Sequence, residues 1–310
     1  METGPLCAFL ASVTWAVGAS GYARLSRTNS PFAVNLARSL IAGPLFLLTA
    51  FVLAGSWSEG LAGFRLLHWS HLGWFSLSMF ASYGFGDALF LWSTQSLGVP
   101  GALAIASSYP ILTALVGYFF EGQKLSLTQV LGLGITVSGV ITVILSDPQS
   151  GSKTDVVSVG KKNAKWKGVA LAAICSVFWA TNSLSISHVG HDIPTAVANT
   201  VRMALAICLS LVMGTVLAPG SRLLLSFKDL KSNLWIFLIE AFGGSYFFMY
   251  GLSHSRLAIG STLSSLAPVI SVPVAWTLGI EKFSASRTAG VFLVVLGLCL
   301  LVGPGGSASG

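Results

Sequence analysis

Apolar residues run along this chain in stretches of about 20, separated by short polar clusters, and about 20 residues is the length a helix needs to cross a ~30 Å hydrocarbon core. Ten such spans are read, at roughly 4–23, 32–54, 71–94, 100–119, 126–146, 167–187, 194–217, 233–253, 258–279 and 288–304. Pro44, Pro110, Pro268 and Pro273 lie inside them, which membrane helices tolerate because neighbouring helices satisfy the freed backbone groups. The pattern predicts an all-α polytopic membrane protein with ten transmembrane helices.

Composition agrees. The chain is 54% hydrophobic and 9% charged, with a mean hydropathy of +0.79, whereas soluble domains are roughly 25% charged. A formal net charge of +7 does not make it a nucleic-acid binder, because the basic residues lie between the apolar runs. The expected partners are the lipid bilayer and a small-molecule substrate, with no nucleic acid. Cys7, Cys175, Cys208 and Cys299 all fall inside spans without CxxC spacing, so neither a disulfide frame nor a zinc site is indicated. The first residues lack the basic region of a cleavable signal, so the first span is expected to remain.

The chain repeats itself. SVTW at Ser12–Trp15 returns as SVFW at Ser176–Trp179, and NLAR at Asn35–Arg38 returns as NTVR at Asn199–Arg202, both 164 residues later. Pro110, Lys124, Ser126, Gly132 and Gly139 correspond to Pro268, Lys282, Ser284, Gly290 and Gly297 at an offset of 158. The expected organisation is a first five-helix repeat over 1–150, a basic linker over 151–165, a second five-helix repeat over 166–304 and a flexible tail over 305–310. Five is odd, so the second half enters the membrane from the opposite side. Inverted repeats of this kind recur in transporters, with the substrate near the midplane between the halves.

These residues resemble a known family. The five-plus-five plan, the early tryptophans Trp15 and Trp179, the arginines Arg38 and Arg202, and the stretches ALAIASSYPIL…GQKLS and STLSSLAPVI…GIEKFS are similar to the drug/metabolite transporter superfamily, in its EamA branch. The resemblance implies a central cavity lined by spans 1, 3, 4, 6, 8 and 9, alternating access, and small substrates such as amino acids, other metabolites or drugs. One departure concerns Gln123, which stands where the second half has the family-like Glu281, while Glu121 aligns with Gly279.

Of 17 basic and 10 acidic residues, Arg38, Asp87, Arg202 and Glu240 fall well inside spans, where ionisable groups usually face a cavity or a partner. Arg38 and Arg202 read as structural charges that close a helix end on carbonyls, with substrate binding as the alternative. Asp87 and Glu240 lie beside Gly84, Gly86, Gly243 and Gly244. Either they pair with arginines, as Arg38 with Asp87 or Arg202 with Glu240, or they handle protons or contact an ammonium group. Trp15 and Trp179 sit at mid-span instead of in the interfacial belts, as cavity lining or as packing. Ser107, Ser108 and Tyr109 precede Pro110, and Ser264 and Ser265 precede Pro268; hydroxyls and a freed carbonyl at such helix breaks can serve a ligand or pack helices. Asn182, Tyr246 and Tyr250 join the substrate-binding candidates.

His188, His191 and Asp192 read as interfacial residues, and no nucleotide loop, HExxH or nucleophile–base cluster is present. No cofactor, metal or catalytic residue is expected. The function indicated is a secondary transporter moving a small organic metabolite, with proton coupling as an option; a membrane-embedded lipid- or metabolite-modifying enzyme and a channel are the alternatives. Connections after spans 1, 3, 5, 7 and 9 carry Arg24 and Arg27; Lys153, Lys161, Lys162, Lys165 and Lys167; Arg222, Lys228 and Lys231; Lys282 and Arg287. The other side has only Arg65, Lys124 and Arg256. The positive-inside rule therefore predicts a cell-membrane protein with both termini outside, opposite to the orientation the resemblance implies.

Overall fold

Each helix begins and ends where local chemistry permits. In this computed structural model residues 3–120, 126–146, 159–277 and 284–302 are described, and their regular structure is entirely helical. Helix α1 (Thr3–Leu25) carries a run of small buried residues. Ser30 caps α2 (Pro31–Ala54) by accepting from Ala33 N–H at 3.1 Å, Pro31 fills the first turn, and Gly55 closes the end at φ 76°. A short α3 (Trp57–Arg65), capped by Ser56, was not among the expected spans. It is amphipathic, and Trp57 and nearby Trp69 are exposed, as at a membrane–water interface.

Next come α4 (Trp69–Met79), α5 (Asp87–Ala106), α6 (Tyr109–Phe120) and α7 (Leu127–Leu145), the last capped by a Ser126/Gln129 box. The second half contains α8 (Val159–Val189), α9 (Thr195–Leu217), α10 (Phe227–Ile236), α11 (Ser245–Ser253), α12 (Leu257–Ser264), α13 (Ala267–Thr277) and α14 (Ala285–Val302). Helix α8 starts inside the segment read as a linker, because its Lys- and Ala-containing sequence continues the helix beyond the apolar span. Residues 151–158 of that linker, the 305–310 tail, Glu121, Gln123 and Glu281 lie outside the described residues.

Among the described residues seven helical stretches are long and apolar enough to cross a membrane, and two shorter apolar helices cover Ile259–Val274 and Ala285–Leu300. One stretch, Trp69–Val116, has 48 residues; at ~1.5 Å per residue it would run about 72 Å as a straight helix, over twice a ~30 Å core. The break comes at Gly98 (φ 68°, ψ 172°). The Arg287 side chain, read from sequence as a loop cation, is instead buried and donates to the Leu97 carbonyl at this break.

Two other irregularities position the site. α4 joins α5 through π-helical turns at Phe80–Gly86, where Asp87 N–H reaches back to the Ser82 carbonyl, and α10 joins α11 through Phe237–Gly244, where Ser245 N–H reaches the Glu240 carbonyl. Such turns are frequent at functional sites. Helix breaks separate α5 from α6 and α12 from α13. Pro110 and Pro268 sit in the first turn of the helix after each break, where a missing N–H costs nothing. Around these features α1 packs on α11, α12 and α13, α8 on α4 and α5, α2 on α9, and α7 on α14. Aliphatic side chains such as Leu48, Val52, Leu131, Ile141, Val212 and Val216 cover the outside, the surface expected when the solvent is lipid.

Candidate functional site

The π-helical turns bring both intramembrane acids to one arginine. Arg38 Nη1 pairs with Asp87 Oδ2, and Nη2 lies 3.0 Å from Glu240 Oε1. Nη1 also donates to Asn35 Oδ1 at 3.0 Å. The remaining carboxylate oxygens are served as well: Trp179 Nε1 donates to Asp87 Oδ1 at 3.1 Å, and the Tyr22 hydroxyl donates to Glu240 Oε2. Aromatic rings of Trp15, Tyr22 and Tyr83 pack around the guanidinium, with centroids 5.4, 4.7 and 4.3 Å from Cζ, and rings at this range attract a cation. The triad is buried, and its three charged groups come from α2, α5 and the turn before α11. It joins the two halves of the chain.

Close approach requires glycine at two positions. A Cβ on Gly86 would sit 2.9 Å from Trp179 Cδ1, and one on Gly18 would sit 2.6 Å from Glu240 Cγ. Gly86 thus leaves room for the indole that donates to Asp87, and Gly18 lets Glu240 enter against α1. Gly84 and Gly243, also beside the acids in sequence, meet only atoms of their own helical segment.

Arg202 is held differently. Its Nη1 donates to Asn199 Oδ1 at 2.8 Å, the counterpart of the Arg38–Asn35 bond, but its other acceptors are Ser78 Oγ (3.2 Å) and Asn182 Oδ1 (3.4 Å). The expected Arg202–Glu240 pair does not form, since Glu240 is taken by Arg38 and Tyr22. Neither arginine closes a helix end on carbonyls, the structural role expected from sequence; both are buried among side-chain acceptors.

A cavity of about 100 Å³ lies between these groups, small beside the ~300–1,000 Å³ pockets that enclose drug-sized ligands. Of the residues singled out from sequence, Trp15, Asp87, Ser107, Tyr109, Trp179, Asn182, Glu240 and Ser264 line it, together with Arg38 and Arg202. The two helix breaks clasp each other there: Tyr109 Oη lies 2.9 Å from Ser264 Oγ and donates to the Ser261 carbonyl at 3.1 Å. Ser108 and Ser265 do not line the cavity, and their hydroxyls bond the local carbonyls of Ile105 and Ser261. Tyr246 and Tyr250 are also elsewhere. They stack along α11 with His254 and line a second hollow beside α3 and the start of α9. His191 and His71 approach Asp192 at 3.3 and 3.5 Å at that end of the molecule.

Sequence reasoning passed over Asn35, Asn199, Tyr22, Tyr83, Ser78 and Ser183. The signal for the asparagines was in the quoted motifs, since residues three apart share a helix face, and Tyr22 lies about two turns from Trp15 on α1. Ser78 and Ser183 carry no such mark.

A sequence model of the EamA-like transporter family matches residues 2–145 and 166–303. An uncharacterized transporter of Archaeoglobus fulgidus is 23% identical over 302 residues, covering 96% of this chain and 98% of that protein. A crystal structure that is 20% identical superposes with a TM-score of 0.67, covering 100% of this chain and 99% of that one, a likeness of fold. With family matches across both halves and an apolar exterior, this multi-pass membrane protein belongs to the EamA-like transporter family.

Proposed function

We propose that the protein is a secondary transporter that moves a small organic solute by alternating access, with ten crossings arranged as two inverted five-helix halves. The observation that carries this reading is the cavity to which both halves contribute matched elements: Trp15 and Trp179, Arg38 and Arg202, and the paired helix breaks. The crossing count follows if the 48-residue stretch divides at Gly98 and the two shorter apolar helices each cross once.

The inversion is supported by glycine contacts between α7 and α14. Gly132 corresponds to Gly290 and Gly139 to Gly297, yet a Cβ on Gly297 would meet the Gly132 carbonyl at 2.5 Å and one on Gly290 the Gly139 carbonyl at 3.0 Å. Exchanged contacts of this kind mark a twofold relation. Because matched positions swap ends along the helices, the axis runs across them, as an inverted repeat requires.

Two carboxylates share one guanidinium, so the triad with all groups ionised carries one net negative charge. That charge suits a proton or the ammonium group of a solute, and a transport protein can use either for coupling. An enzyme reading finds less support, since each carboxylate oxygen already accepts a hydrogen bond and no nucleophile–base pair faces the cavity among the described residues. The test is uptake of radiolabelled metabolites into proteoliposomes with and without a pH gradient. Solute accumulation supports the reading, and absence of movement by any solute contradicts it. Within that assay Trp179→Phe should raise KM about tenfold by removing the donor to Asp87, with normal protein yield. Unchanged KM in both Trp179→Phe and Trp15→Phe would assign the rings to packing.

Orientation follows from the basic bias, eleven to three once the buried Arg287 is set aside, which puts the termini outside the cytoplasm. Ser221, exposed between α9 and α10, lies on the basic side. With the four native cysteines replaced by alanine, Ser221→Cys should react with a membrane-impermeant maleimide only after the cells are permeabilised. Labelling in intact cells would contradict the charge argument.

A further inference from the structure

The two matched arginines are held alike at one end and differently at the other. Each donates to the asparagine three residues before it, but Arg38 then meets two carboxylates, and among the described residues no carboxylate oxygen lies within 4 Å of Arg202. The neighbours of Arg202 are the neutral Ser78, Asn182, Asn199 and, at 3.9 Å, the Met249 sulfur. Asp87 attracts it only from beyond ion-pair distance and is itself held by Arg38 and Trp179. A guanidinium remains charged at any pH a cell reaches. Arg202 is only 3% exposed, and burial of a charge among neutral groups is costly unless an anion compensates it. Arg202 also lines the cavity that holds Trp15, Trp179 and Tyr109.

We infer that Arg202 is the seat for a carboxylate of the transported solute. This deepens the transporter reading and rests on it for the cavity's being the substrate path. The planar fork of a guanidinium matches a carboxylate better than a point charge does, and Asn199, Asn182 and Ser78 fix that fork by its edges. Aromatic rings offer apolar walls for the rest of the solute, and the net negative triad accommodates an ammonium group where the carboxylate also carries one. The substrate class is therefore a small organic acid, free or zwitterionic, with an apolar body. Asp87 and Glu240, which line the same cavity, are both engaged by Arg38.

The test uses purified full-length protein in detergent and matched acid–amide pairs: phenylacetate and phenylacetamide, 4-methylpentanoate and its amide, and L-phenylalanine and L-phenylalaninamide. Thermal stabilisation and tryptophan fluorescence report binding. The expected result is binding by at least one acid, with its amide at least about tenfold weaker, and a loss of about 10- to 100-fold in Arg202→Gln. Arg202→Lys, which keeps the charge but not the fork, should fall between. Equal binding of acids and amides, no binding by any acid, or undiminished binding in Arg202→Gln overturns the assignment. So does a response to chloride with none to the acids. If Arg202→Gln fails to fold, the acid–amide comparison on the unmodified protein decides. A protein that transports solutes but favours the amides overturns the carboxylate seat alone; one that binds the acids and moves nothing overturns the transporter reading alone.

Discussion

Arg38→Gln should cost about 3–5 kcal/mol and leave little folded protein, because it strands Asp87 and Glu240 as two buried negative charges without their shared cation. Asp87→Asn and Glu240→Gln should each be far milder, since either leaves one acid to balance Arg38. This ordering distinguishes a shared triad from two independent ion pairs, in which every single removal would be severe. Combining Arg38→Gln with both acid replacements should recover much of the loss. Thermal unfolding followed by size-exclusion in detergent reads the series, and an Arg38→Gln protein as stable as its parent would contradict the triad's structural role.

Gly139→Val should separate α7 from α14. Even the first added carbon would sit 2.5 Å from Val294 N and 2.7 Å from the Gly290 carbonyl, and those are backbone atoms that cannot rotate away. Overpacking of this kind costs about 1–3 kcal/mol where side chains can adjust, and more is expected where they cannot. Gly134→Ala on the same helix meets nothing within 4 Å and should be neutral. Melting temperatures of the two variants in the same detergent check the contrast; equal effects would mean that α7 and α14 do not pack through these glycines.

The repeat in the sequence marks several residues of the site. SVTW/SVFW and NLAR/NTVR mark Trp15, Trp179, Arg38 and Arg202, and all four line one cavity. The matched glycines had a meaning as well, as the contact between α7 and α14. What could not be read was which acid meets which arginine. Arg38 is 49 residues from Asp87 and 202 from Glu240, and the choice between partners depends on how spans pack. The π-helical turns left only clustered glycines as a trace, since one extra residue in a turn does not alter apolar periodicity enough to be seen. Ser108 and Ser265 show the limit of reading a helix break from composition: serines beside a proline supply hydroxyls, but which of them face the cavity depends on the turn each occupies at the break. Helix α3 leaves no trace in the apolar pattern, because nine residues with a mixed face are too short and too polar to form an apolar run of about 20.

Under the proposed alternating access, the cavity between the two halves should open in turn to either side of the membrane. Ser107 lines it at the break between α5 and α6 and is buried, so a single Ser107→Cys in a background without other cysteines reports access to it. The measurement is labelling by an impermeant thiol reagent applied to right-side-out and to inside-out vesicles. Labelling from each side, with no passage of the reagent through the protein, is the predicted result. Labelling confined to one side would make the cavity a blind pocket and contradict the account.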